Sequence, residues 1–292
     1  MSSNNSEKLE VFFPYLGKLT ANLHCESKEI YKIFKEKNEI ERLQNLEHLG
    51  ALKFVFKSAR HSRWEYITLI MSLIETAKKS EIVEISSKVK IYGDLEISSG
   101  EELLKSWTLI LNMGHLYLTF ATEKCLLLTL IQNKKIKNQY LNIIGDEELR
   151  NELHKIIKDE EIYKFYSTVF AYRLYTEFKD VKEENFKLMI NLLKSYIIDV
   201  EDEKIKKLKE TFKIIRLIAY LSLDSYYSPS IPSININQLL RDPASLGSFI
   251  NSILMENHEL SDTFNISAKR SLWDWNRSIF TYIKMCISAK KR

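Results

Sequence analysis

"KSARHSRWEYITLI", residues 57–70, sets Arg60, His61, Arg63, Trp64 and Glu65 almost side by side and then turns apolar. The apolar residues from Trp64 to Lys78 recur with the period of a helix. The chain has 292 residues with only 7 Gly and 4 Pro, short of the turn residues that a sheet-rich protein needs. Long helices joined by short connections are therefore expected. The polar head of this helix reads as a corner where functional groups meet.

Helical spacing continues on both sides. Upstream, Ile30, Ile33 and Phe34 mark a helix over about 28–38, and Leu43, Leu46 and Leu49 mark another over 40–49. Downstream, residues 81–98 are β-branched and broken by Tyr92-Gly93-Asp94, which predicts a small hairpin. Ser99-Gly100-Glu101-Glu102 fits a capping box that starts a helix towards Met113. From Asp146 onward the pattern predicts helices over about 146–157, 159–178, 183–198, 201–224, 236–257 and 267–288. Between Ser225 and Asn235 two prolines forbid a continuous helix. The expected fold class is all-α, a helical bundle with a hairpin excursion near 81–98. A domain over 1–230 would carry a helical extension, 231–292, packed on it.

Composition narrows the function classes. Hydrophobic residues make up 45% and charged residues 28%, as in globular chains. The 43 basic and 39 acidic residues are interleaved, so the net charge of +4 gives nucleic acid binding no support. The basic end "AKKR", Ala289 to Arg292, reads as a solvated tail. Cys25, Cys125 and Cys286 are widely spaced with no CxxC, which predicts buried free thiols in a reduced, cytoplasmic setting. The start "MSSNNSEKLE" lacks the apolar core of a signal peptide. Leu109 to Ile131 is the most apolar stretch, but Asn112, His115, Glu123 and Lys124 interrupt it, so it reads as one or two core helices and not a membrane span. P-loop, GxGxxG, GxSxG and HExxH motifs are missing from the sequence.

Residues 41–66, "ERLQNLEHLGALKFVFKSARHSRWEY", carry a resemblance. They are similar to the entry segment of the HD-domain phosphohydrolases, in the deoxynucleoside-triphosphate triphosphohydrolase-like branch. That family has a pattern close to R-L-x-x-I-x-x-L-G, an aromatic and apolar run, then P-x-A-x-H-(T/S)-R-(F/W)-E-H-S. Arg42, Leu43, Leu46, Leu49, Gly50, Ala59, His61, Ser62, Arg63, Trp64 and Glu65 fall in register. Lys57 stands at the family's proline and Tyr66 at its first metal-binding histidine. "LNMGHLYLTFATE", Leu111 to Glu123, resembles the second motif through Gly114, His115, Thr119 and Glu123. There Leu111-Asn112 replaces the His-Asp dyad, and Phe120 a later histidine. Asp224, in "IRLIAYLSLDSYYSP", resembles the family's last ligand, an aspartate.

The resemblance implies a divalent metal held by His, His-Asp and Asp, which activates water and neutralises phosphate. This chain departs from that set. A protonated tyrosine is a poor ligand, leucine offers no lone pair, and asparagine only a neutral carbonyl. No metal and no cofactor are expected, and Tyr66, Leu111, Asn112 and Asp224 are expected to line a residual pocket. Arg63, His61 and His115 are the ligand-binding candidates. For Arg63 the choice is between phosphate contact and an ion pair with Glu65, Glu123 or Asp224. For His115 it is between a substrate contact and a bond to Glu123 or Thr119. His61 stands beside the site or on the surface. His24, His48, His154 and His258 lack partners at ligand spacing and read as ordinary.

Elsewhere, Phe165, Val169, Tyr172 and Phe178 read as core, and so do Trp273 and Trp275, with the alternative that one of the two, facing the other side of its helix, marks an interface. The first functional reading is a catalytically degenerate HD-domain protein that binds a nucleotide or another phosphorylated ligand, or serves as a scaffold subunit. It would work as a homo-oligomer or with a protein partner, away from membranes. The rivals are an active phosphohydrolase with a site rebuilt from His61, Arg63, His115 and Asp224, and an unrelated helical interaction protein.

Overall fold

The computed structural model describes residues 6–13, 16–50, 61–80, 82–156, 162–177, 181–199, 201–227 and 235–255. Two antiparallel hairpins and thirteen helices form among them, so the all-α class holds. The first hairpin pairs β1 (Glu7–Phe13) with β2 (Gly17–Leu23). It is a feature beyond the sequence reading, which expected only the excursion at 81–98. The signal was a period of two. Leu9 and Phe13 turn inward while Lys8, Glu10 and Phe12 face solvent, and Ala21 and Leu23 complete the buried face.

Next come α1 (Cys25–Glu36), α2 (Glu39–Asn45), α3 (Arg63–Lys79) and the single turn α4 (Val83–Ser86). The expected excursion is real but small. β3 (Val89–Lys90) pairs with β4 (Glu96–Ile97) around a 3-10 turn, Tyr92–Asp94. Then follow α5 (Gly100–Met113), α6 (Phe120–Gln132), α7 (Lys134–Asn142), α8 (Glu147–Ile156), α9 (Ile162–Glu177), α10 (Glu183–Ile197) and α11 (Glu203–Tyr227). The helix expected over 236–257 is two helices, α12 (Ile236–Arg241) and α13 (Pro243–Met255). Pro243 supplies no amide, and Asp242 caps the new start by accepting from the Ala244 amide at 3.1 Å and the Ser245 hydroxyl at 2.6 Å. Both helices pack against α3, and α13 also packs on α11. The helix expected at 267–288, Trp273, Trp275, Phe178, Cys286, His258 and the basic tail lie outside the described residues.

Helix α5 is the centre of the bundle. All of its residues are buried, and α1, α3, α9, α10 and α11 surround it. Its charged residues must therefore find partners inside. Lys105, fully buried, donates to Glu75 of α3 at 2.9 Å, to Glu101 at 2.6 Å and to the Asn22 carbonyl of β2 at 2.6 Å. Glu101 also meets Lys78 at 2.5 Å. The start of α5 corrects the expected capping box. The Ser99 hydroxyl does accept from the Glu102 amide at 3.2 Å. The Glu102 carboxyl instead reaches α1, where the Ser27 hydroxyl donates to it at 2.7 Å and the Ser27 amide at 3.2 Å. In return Glu26 of α1 accepts from the Ser98 amide at 3.1 Å and hydroxyl at 2.6 Å. Two helix starts thus cap each other, each carboxylate meeting the positive end of the other helix. The complete box lies at Ser62–Glu65, ahead of α3.

The cysteine expectation needs correction as well. Cys25 and Cys125 are exposed free thiols. No helix among the described residues is long and apolar enough to cross a membrane.

Burial pushes the Glu102 carboxyl up to about 7, against the opposing hydrogen bonds from Ser27 and the charge of Lys105. A carboxyl raised above its unfolded value makes the folded state bind more protons between about pH 4.5 and 7, so stability falls as pH rises through that window. Glu102→Gln should abolish that pH dependence and make the protein relatively more stable near pH 8, by roughly 3 kcal/mol or less. Urea titrations of both forms at pH 5 and pH 8 check this. Equal changes with pH in the two proteins would refute it.

Candidate functional site

The site forms where the head of α3 meets the end of α5 and the loop that leads into α6. Arg42 of α2 fixes the last two pieces. Its guanidinium donates to the Met113 carbonyl at 2.6 Å and the His115 carbonyl at 2.7 Å, caps the negative end of α5, and is held by Glu39 at 2.7 Å. The strand-like segment before α3 is tied back in the same way. The His48 amide donates to the His61 carbonyl at 2.9 Å, and the Arg63 amide to the Leu46 carbonyl at 2.6 Å. Glycine permits two close approaches. A side chain on Gly114 would strike the Ser167 backbone of α9, and one on Gly50, at φ +54°, the carbonyl of Leu118. Leu118 (φ 62°) and Thr119 (φ 37°) hold left-handed conformations that side chains disfavour, so the loop before α6 carries strain.

Tyr66, Arg63 and His61 are all buried. The Tyr66 ring stacks on the His48 ring at 4.3 Å, and His48 lies 4.9 Å from the His61 ring. The Arg63 guanidinium sits 5.6 Å over the Tyr66 ring, and Arg63 donates a long bond, 3.5 Å, to the His48 carbonyl. The Thr119 hydroxyl reaches the same carbonyl at 3.4 Å. Across the site, His115 meets Glu123 at 2.9 Å and stacks on Tyr163 of α9 at 6.0 Å. Arg216 of α11 donates to the hydroxyls of Tyr163 and Tyr196, each at 3.3 Å, and its guanidinium lies 5.0 Å over the Tyr163 ring. The halves join where the Tyr66 hydroxyl donates to the Arg216 carbonyl at 3.5 Å.

The structure thus gathers Tyr66, Arg63, His61 and His115 around one cluster. Leu111 and Asn112 are buried one turn before the loop. The Leu111 carbonyl accepts from Ser167 at 3.0 Å, and the Asn112 amide donates to Thr108 at 2.7 Å. The α11 residue that faces Tyr66 is Arg216. Asp224 lies two turns further along α11, about 12 Å by helix rise, and its side chain is outside the described set. Three residues escaped the sequence reading. His48, read as ordinary, forms the floor under Tyr66. Arg216 and Tyr163 close the far side. Arg216 did leave a signal, a lone charge inside the apolar run Ile214 to Leu221.

Charge in this cluster is lopsided. Burial first, then the positive charge of Arg63, holds His48 well below the usual histidine range, His61 down to about 3 and His115 down to about 4. The imidazoles are therefore neutral at pH 7. Burial would raise the Glu123 carboxyl, but His115 and Arg63 hold it below its ordinary value. An ionised Glu123 can only accept, so His115 carries its proton on Nδ1. Two permanent guanidiniums face one carboxylate among the described side chains. The donor chemistry does not fit the divalent metal of the HD family. Tyr66 is stacked under a cation, Leu111 offers no donor, and among the described residues no three His, Cys, Asp or Glu side chains are grouped to hold an ion.

No protein-family model and no curated protein matches the chain. Among solved structures it is similar to a hypothetical protein from Aquifex aeolicus, at 18% identity and a TM-score of 0.45. That match covers 97% of this chain and 66% of the other. It is also similar to a phosphohydrolase from Bacteroides thetaiotaomicron, at 14% identity and a TM-score of 0.45, over 80% of this chain and 46% of that one. The chain therefore spans less than two thirds of the length of either structure.

The cluster's titration is directly measurable. Histidine ring spectra should show no protonation of His48, His61 or His115 from pH 8 to pH 5.5. Because these groups bind fewer protons folded than unfolded, stability should fall as pH drops below about 6.5. A ring midpoint near 6.5 for His115 would contradict the geometry.

Proposed function

We propose that the chain is a catalytically degenerate HD-domain-like protein that acts by binding a nucleotide or another phosphorylated ligand, as a sensor or as a scaffold subunit. The observation that carries this reading is the placement of two permanent guanidiniums, buried Arg63 over the Tyr66 ring and half-buried Arg216 over the Tyr163 ring, beside the histidine cluster. Guanidinium forks bind phosphate oxygens in pairs, and such charge-assisted bonds are the strong ones. The neutral imidazoles of His48, His61 and His115 add directional bonds without adding charge. Two buried polar atoms, Nδ1 of His48 and Oδ1 of Asn112, lack a hydrogen-bond partner among the described residues. A polar ligand that reached them would offset a cost of about 1–3 kcal/mol each.

Water activation is poorly served here. Glu123 is engaged by His115 and by the Leu116 amide at 3.1 Å. A carboxylate so held is a weak general base. This favours binding over hydrolysis.

Arg63→Ala tests the assignment. If Arg63 contacts the ligand, nucleotide affinity should drop by about tenfold or more while the melting temperature changes little. If Arg63 serves only to balance Glu123, the variant should lose on the order of 3 kcal/mol of stability and no nucleotide should bind either protein. Calorimetric titration with a deoxynucleoside triphosphate, paired with thermal melts, separates the two. Release of inorganic phosphate by the wild-type chain would replace this reading with the hydrolase.

A further inference from the structure

The residue of α11 that meets the head of α3 is an arginine, and it meets it at the position where the family resemblance places a metal ligand. Building on the binding reading above, we infer that Arg216 takes the place of the divalent cation, so that this site binds phosphate without a metal.

Several observations converge on this. The Arg216 backbone touches Tyr66, the residue that stands for the family's first metal-binding histidine. The Arg216 guanidinium is enclosed by Tyr163, Tyr196 and Phe212, with Phe212 5.6 Å away on its own helix. Both of its hydrogen bonds go to phenol hydroxyls, which accept without cancelling its charge. A carboxylate partner there would have neutralised it. Instead a full positive charge is held rigidly between α9, α10 and α11, facing the His115–Tyr163 stack. A second guanidinium, Arg63, lies 5.6 Å over the Tyr66 ring. Two fixed cations supply to an anion what a divalent ion would supply, and they repel such an ion from the same space. The changes at Tyr66, Leu111 and Asn112 then belong together, since a site with its own cations has no use for metal donors.

The test uses the full-length chain and inorganic phosphate. Phosphate is titrated calorimetrically into protein dialysed against EDTA, and again with excess Mn2+. Mn2+ alone is followed by equilibrium dialysis. The expected result is the same phosphate affinity in both buffers, within about twofold, and no stoichiometric Mn2+. Arg216→Gln, once a thermal melt shows it folded, should weaken phosphate about tenfold or more. If that variant does not fold, the comparison of wild-type protein with and without EDTA decides alone. Phosphate binding that requires Mn2+, a stoichiometric Mn2+ on the wild-type chain, or a folded Arg216→Gln that binds as tightly as wild type would each overturn the inference, while the binding reading would stand. No phosphate binding in either buffer would overturn the binding reading, and this inference with it.

Discussion

A lysine with no exposure to water holds the centre of this protein. Lys105 sits in the middle of α5 and ties Glu101 of its own helix, Glu75 of α3 and the Asn22 carbonyl of β2. Buried ion pairs of this kind add little net stability, because desolvation offsets the attraction. They do fix register, since any slide of α5 would strand a charge in the core. For a helix buried on every side, such pairs select its rotation and height. With Lys105 engaged, the N-terminal end of α5 is clasped to α1 through Glu102 and Glu26, and its C-terminal end arrives beside α2 and α9.

The site inherits that placement. Two turns beyond Lys105, α5 ends at Met113, where Arg42 collects its last carbonyls. Gly114 passes so close to Ser167 that no other residue fits. The loop that follows is bent by left-handed Leu118 and Thr119, and it returns Glu123 to His115. Strain of this sort persists only where its surroundings hold it. Here Arg42, Gly50 and the His48 carbonyl do so. The geometry of the cluster is thus set upstream, by Arg42, Gly50 and Gly114.

Electrostatics in the cluster follow from burial. Imidazoles taken out of water beside Arg63 stay neutral, whereas guanidiniums keep their charge in any surroundings. The result is a cluster whose positive charge does not depend on pH across the physiological range. Aromatic faces take up the space around these cations, Tyr66 under Arg63 and Tyr163 under Arg216. Such faces hold a guanidinium without neutralising it.

Much of the architecture was legible in the sequence. Scarce glycine and proline and the 3.6-residue period determined an all-helical chain, and Tyr92-Gly93-Asp94 marked the small hairpin, because these are local properties of backbone and side chain. The head of α3, from His61 to Tyr66, was legible as a site for the same reason, since its residues lie within two turns of one another. The first hairpin shows its alternation from Glu7 to Phe13, but helical spacing dominates the chain around it. What only the tertiary structure decided is which distant residues complete the cluster. His48 reads as an ordinary histidine until the segment before α3 folds its ring against Tyr66. Glu102 reads as half of a capping box until α1 offers it a better pair of donors. Arg216 reads as an isolated charge, more than 140 positions from the motif, until α11 crosses the head of α3. A period fixes the face of a helix, but the partner that meets that face is chosen by the packing of the whole core.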